Sequence, residues 1–165
     1  MLMTEFTTSL AYISHQALND LVRYWRQLDP APAVPNRQQF NPVDIPHCLR
    51  HIILLDVCAG RPRYFIRLAG SAVNPVYQKP ITGEYLETIL SDEDRPTIMS
   101  QYDYTVARQR PTYMANTASV PSGRKLNYER VVLPLTTNGD VTDKLLVGIN
   151  FSDVKQHLLD RPAFK

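Results

Sequence analysis

Apolar residues recur at three- and four-residue intervals from Ala17 through Leu18, Leu21, Val22 and Trp25 to Leu28, the period of one face of an α-helix. The pattern predicts an amphipathic helix capped by Ser14 and running to about Leu28. Before it, Met1 to Ile13 shows no clear period and reads as a mobile lead-in. What the stripe of Leu18, Leu21, Val22 and Trp25 covers is open at this point. It suits a second copy of the chain or a partner protein, and equally the chain's own sheet. Asp29 to Pro35 (DPAPAVP) cannot continue the helix, because each proline ring removes a donor and holds the preceding residue extended. It reads as a stiff linker.

Beyond the linker the period changes. Asn41, Pro42 and Asp44 form a helical start signal, and Pro46 keeps that turn short. Ile52 to Val57 is a β-branched run that predicts a strand buried on both faces, and Arg61-Pro62 turns the chain. Tyr64, Ile66 and Leu68 then alternate with Phe65 and Arg67, the period of a second strand ended by Gly70. Ser71 to Leu90, interrupted by Pro75, Pro80 and Gly83, predicts consecutive short helical turns. Ser91 and Asp94 have capping-box spacing before a helix that carries Ile98, Met99, Tyr102 and Val106 on one stripe, starts near Pro96 and ends near Arg108. Three strands follow, Thr112 to Val120, Lys125 to Leu135 and Lys144 to Phe151, joined by turns at Pro121-Ser122-Gly123 and Thr137 to Asp140. The last strand places Leu145, Val147, Ile149 and Phe151 on one face. Ser152 to Leu159 predicts a short C-terminal helix stopping at Pro162.

This order is an antiparallel α+β arrangement with helices collected on one side of the sheet. It divides the chain into an N-terminal segment (1–39), a core (40–151) and a tail (152–165). Within the core, FNPVDIP (Phe40 to Pro46) and FIRLAG (Phe65 to Gly70) resemble the opening turn and second-strand end of a PAS domain, specifically a bacterial family found mostly in alphaproteobacteria. ITGEYL (Ile81 to Leu86), DRP (Asp94 to Pro96) and YERVVLPL (Tyr128 to Leu135) extend the resemblance to residues 40–151. It implies a PAS-like five-stranded antiparallel sheet with helices on one face and an N-terminal flanking helix. It also implies a sensory or signalling module that binds a small molecule, a protein partner, or both.

Length and composition narrow the picture. The chain has 165 residues, of which 44% are hydrophobic and 21% charged, as expected of one globular domain with a core. Its net charge of +2 comes from interspersed residues with no basic run, which excludes a phosphate-tracking surface for nucleic acid. Cys48 and Cys58 make no disulfide framework or zinc spacing. No leader is evident and no apolar run approaches a membrane span, so a cytoplasmic protein without a span is expected.

PAS domains commonly hold haem, flavin or a small metabolite between sheet and helices. Haem is disfavoured because the helix Asp92 to Arg108 has no histidine, and His15, His47, His51 and His157 fall elsewhere. Flavin photochemistry is disfavoured because neither cysteine sits in a polar Asn-, Arg- and Gln-bearing helix. The cofactor, if any, is unidentified; a small metabolite is compatible. Cys48, between His47 and His51, reads as a small core residue. The ligand-binding candidates are Arg67, Tyr77, Tyr102, Asn116, Arg130 and Asn150, each offering a directional polar atom near a strand or helix. A rival reading is an acid-base enzyme of ketosteroid-isomerase-like type using Glu129 with Tyr128 and Tyr102, although strand parity separates Glu129 from Tyr128. A ligand-free scaffold is the third. No output domain fits before Phe40 or after Phe151, so the main expectation is a stand-alone sensor acting in trans, as a homodimer or through an unidentified signalling protein. The helix bearing Leu18, Leu21, Val22 and Trp25 is the contact surface in that reading.

Overall fold

The computed structural model describes residues 5–30 and 33–153. Five strands, β1 (Ile52–Val57), β2 (Tyr64–Ala69), β3 (Thr112–Ser119), β4 (Lys125–Leu135) and β5 (Lys144–Asp153), form one antiparallel sheet in the order β2-β1-β5-β4-β3. The helices are α1 (Gln16–Gln27), α2 (Leu86–Ile89) and α3 (Arg95–Arg108), with short 3₁₀ segments before α1, between α1 and β1 and between β2 and α2. Gly123 and Gly139 both take φ near +90° (86° and 91°), the left-handed conformation that the two hairpin turns require.

Period-2 alternation decides which layer each strand residue joins. Ile52, Leu54, Val131, Leu133 and Leu146 pack with Leu18, Leu21 and Val22 of α1 on one face. Ile53, Leu55, Tyr64, Ile66, Met114, Val132, Leu145 and Val147 pack with Ile98 and Tyr102 of α3 and with Leu86 of α2 on the other. The sheet is therefore covered on both faces, α2 and α3 on one and the N-terminal flanking helix on the opposite one.

That arrangement corrects the reading of α1 as a contact surface for another molecule. Leu18, Leu21 and Val22 are buried against the chain's own sheet, and the half-buried Trp25 donates its indole N–H to the Pro134 carbonyl at 3.0 Å. The hydrophobic stripe is satisfied internally. Gly148 of β5 makes the close approach possible: a Cβ there would lie 2.7 Å from Leu21 Cδ2.

The N-terminal segment is likewise part of the core. Thr7 pairs with Tyr113 at the outer edge of β3 through two backbone hydrogen bonds (2.9 and 2.8 Å), and Leu10 and Ile13 are buried. Ser14 does not cap α1; its N–H and hydroxyl donate to the Glu129 carboxylate at 2.7 and 2.6 Å, and His15 occupies the cap position. The linker is pinned too: Val34 is buried, and Pro35 and Arg37 exchange backbone hydrogen bonds with Thr136. Leu10 and Ile13, with Leu18, Leu21 and Val22 of α1, thus join the same hydrophobic cluster as Phe40, Ile52, Val131 and Leu146. Ser91 closes a turn, accepting from the Asp94 N–H at 3.2 Å, while Asp94 holds the position before α3 without a side-chain cap, its carboxylate accepting from the Ser91 hydroxyl and the Ser119 N–H. Ser152 and Asp153 extend β5 where the sequence predicted a C-terminal helix, and the rest of that segment lies outside the described residues.

Candidate functional site

The alternation of β4 turns Tyr128, Arg130 and Val132 toward α3, and Arg130 is only 2% exposed. A guanidinium cannot shed its proton to escape the cost of burial, so its partners define the site. Its Nε and Nη2 both donate to Gln101 Oε1, at 2.9 and 2.6 Å, and Nη2 also reaches Met114 Sδ at 3.8 Å. The guanidinium carbon lies 4.8 Å from the Tyr128 ring centre and 5.3 Å from that of Tyr102, within cation–π range of both.

Gln101 is fixed from behind. Its Nε2 donates to Thr112 Oγ1 at 3.1 Å; Thr112 and Thr105 share a 2.7 Å hydroxyl contact, and Thr105 returns to the Gln101 carbonyl at 3.1 Å. All three residues are fully buried. The buried stripe of α3 is therefore Ile98, Gln101, Tyr102 and Thr105, with Met99 and Val106 at its margins. Gln101 and Thr105 escaped the sequence reading because polar residues at helical spacing ordinarily face water. The available signal was that an inward Arg130 needs an acceptor on the facing helix.

Aromatic rings extend the site. Tyr64 lies 5.4 Å from Tyr102, and Phe151 lies 6.2 Å from both Tyr128 and Tyr77. Burial pushes the Tyr102 hydroxyl up to about 12, with Arg130 opposing the shift. Burial also raises Tyr77, whose electrostatic neighbours are Tyr102, Arg130 and Tyr128. The Tyr102 and Tyr77 phenols stay neutral at physiological pH.

Of the six sequence candidates, the structure brings Tyr77, Tyr102 and Arg130 together. Asn116 lies next to them, lining a cleft of about 340 Å³ with Ile98, Thr97, Tyr128 and Lys125, and its Oδ1 accepts from the Thr117 N–H at 2.8 Å. Arg67 does not belong to the group. It sits on β2 with a 61% exposed side chain, paired with Asp56 and stacked on Phe65. Asn150 pairs with Glu129 in register and shares the parity of Leu146 and Gly148, so it lies on the α1 face. A directional polar group on or near a strand placed both Arg67 and Asn150 among the candidates, and that property does not set side-chain direction.

Glu129 is likewise on the α1 face, accepting from Ser14 and from the Tyr113 hydroxyl at 2.8 Å, so it does not meet Tyr128 or Tyr102 as the acid-base reading requires. Cys48 is also on that face, its thiol directed at the Ala17 carbonyl (3.3 Å) and pushed up to about 11 by burial. Among the described residues no cluster of three or more His, Cys, Asp or Glu side chains could hold a metal ion, and no helix is long and apolar enough to cross a membrane.

The family model described as a PAS domain matches residues 13–149, so the match begins ahead of α1 and includes it. Among solved structures, a light-oxygen-voltage domain studied with a flavin analogue superposes with a TM-score of 0.54 at 13% identity, covering 74% of this chain and 94% of that one. The light-state LOV domain of the photoreceptor Aureochrome1 follows at 0.51 and 11% identity, over 68% of this chain and 89% of its own. A PAS domain from Colwellia psychrerythraea gives 0.51 at 14% identity, over 69% and 97%. At these identities the likeness concerns the fold. No curated protein sequence matches the chain.

Proposed function

The chain belongs to the PAS domain family, a family of sensory modules found in signalling proteins, and on that premise we propose that it binds a small molecule between the sheet and α3 and reports its binding state to a protein partner. The observation that carries this reading is the meeting of Arg130, Tyr102 and Tyr77 on the α3 face, backed by the Gln101, Thr105 and Thr112 network. A polar group held rigidly among apolar walls is what a specific ligand site needs. A packed core alone would be served as well by aliphatic side chains, at no desolvation cost. The role is non-catalytic and intracellular, in a bacterial cell, and the module works as a homodimer. Its self-contact uses the outer side of α1, where Trp25 is only half-buried, since Leu18, Leu21 and Val22 face inward.

Native mass spectrometry of the purified chain tests ligand and assembly together. The expected spectrum shows a dimer carrying a small additional mass that is released on denaturation and identified by its absorbance and fragmentation. A monomer of bare polypeptide mass would overturn both parts, and a bare dimer would leave a ligand-free scaffold.

A further inference from the structure

Hydrogen-bonding groups in the buried parts of the molecule are, with few exceptions, matched. Tyr64 donates to Asp103 at 2.5 Å, Tyr113 to Glu129, Trp25 to Pro134, and Gln101, Thr105 and Thr112 to one another. The Arg130 Nη1 and the Tyr102 and Tyr77 hydroxyls differ: among the described residues none of the three makes a hydrogen bond, and Arg130 makes no ion pair. These ends are not sealed in. The fully enclosed side-chain N and O atoms without a partner, among the described residues, are the Nδ1 atoms of His15 and His51 on the opposite side of the sheet. Nη1 and the Tyr102 hydroxyl are not among those enclosed atoms, although their residues are 2% and 1% exposed.

The energetics point to one class of occupant. Transferring a cation from water into a protein interior is costly even after relaxation. Two aromatic faces return part of that cost, and an amide oxygen returns only a neutral acceptor's share. The balance is closed by an anion. Gln101 covers the Nε–Nη2 edge of the guanidinium, so the Nη1 end remains for a carboxylate, and the Tyr102 hydroxyl supplies a further donor. Tyr77, Tyr128, Phe151 and Met114 supply apolar surface for the body attached to that carboxylate.

Resting on the ligand-binding reading above, we propose that the site takes a small organic carboxylate, an acid with one apolar body, whose oxygens accept from Arg130 Nη1 and the Tyr102 hydroxyl. Calorimetric titration of the full chain with benzoate and hexanoate, against the isosteric benzamide and hexanamide, tests the class. The acids are expected to bind at least about tenfold tighter than the amides, the discrimination that a charge-assisted hydrogen bond provides. Arg130→Lys, which keeps the charge and loses the fork, is expected to weaken the acids and leave the amides unchanged, and Tyr102→Phe to weaken the acids less. Should the Arg130 variant not fold, Gln101→Glu is the second arm. It places a carboxylate against the guanidinium, and is expected to raise the melting temperature and abolish acid binding.

Amides binding as tightly as the acids would overturn the carboxylate assignment while leaving the sensor reading intact. A Gln101→Glu variant that melts lower than wild type and still binds the acids would also overturn it, because Arg130 would then have no unmet need for an anion. Absence of binding by all four compounds at about 10 mM, well above a millimolar Kd, would do so as well. In that case the bound mass in the native spectrum separately decides whether a ligand of another class is present.

Discussion

A methyl group at Gly70 would lie 2.3 Å from the Leu49 carbonyl oxygen and 2.4 Å from that of Arg50, both backbone atoms of the 3₁₀ turn Pro46–His51. Backbone cannot swing aside as a side chain can, so the glycine that ends the FIRLAG motif is there for close approach. Gly70→Ala is expected to cost about 3 kcal/mol, the upper part of the overpacking range, read as a lower urea midpoint at unchanged slope. An unchanged midpoint would show that the turn yields. Tyr102 and Arg130 were legible as amphipathic groups on a helix and a strand. Gln101 and Thr105 were not, because their role depends on the cation that faces them across the core.

At the scale of elements, periodicity was a good guide to existence and a poor one to attachment. β1 and β2 are found at the residues where alternation and β-branching placed them, and α3 starts at Arg95 with Pro96 in its first turn, as a proline demands. α1 was equally legible as a helix, yet its stripe alone could not distinguish a partner's surface from the chain's own sheet. Packing decides that, through Gly148 and the alternate residues of β1, β4 and β5. Leu21→Ala is therefore expected to destabilise the folded chain by about 2–5 kcal/mol. Trp25 is the single tryptophan, so its fluorescence reports the loss directly, shifting to the red at lower denaturant than in wild type. If Leu21→Ala altered only the association state and left the unfolding midpoint in place, the internal docking of α1 would be wrong.

For the whole molecule, the pair His15 and His51 ties the start of α1 to the start of the sheet, their rings 4.8 Å apart and edge-on. Burial, and then the charge of His15, lowers the His51 pKa below its ordinary 6.5; Arg50 acts in the same direction, and a backbone hydrogen bond at Ile149 opposes it. Above pH 6.5 both folded and unfolded chains carry neutral His51, so stability there is unaffected. As pH falls below that value the unfolded chain binds the proton first, and stability declines until the folded pKa is passed. The melting temperature is thus expected to fall as the pH drops below 6.5, and His51→Gln to flatten that part of the curve. Asp20 and Asp56, both held below their ordinary 3.8, contribute losses only at more acid pH. A His51→Gln profile parallel to wild type would remove His51 as the cause.

Sequence by itself determined the local elements, their antiparallel order and the family, because helical and strand periods, turn residues and short motifs act over a few neighbouring positions. Tertiary structure alone decided which side of the sheet each polar group faces. It put Glu129, Asn150 and Cys48 with α1, left Arg67 on an exposed edge, and set Arg130 against Gln101, Tyr102 and Tyr128. Those outcomes depend on contacts between residues tens of positions apart, and on the desolvation of a charge whose partners no local pattern names.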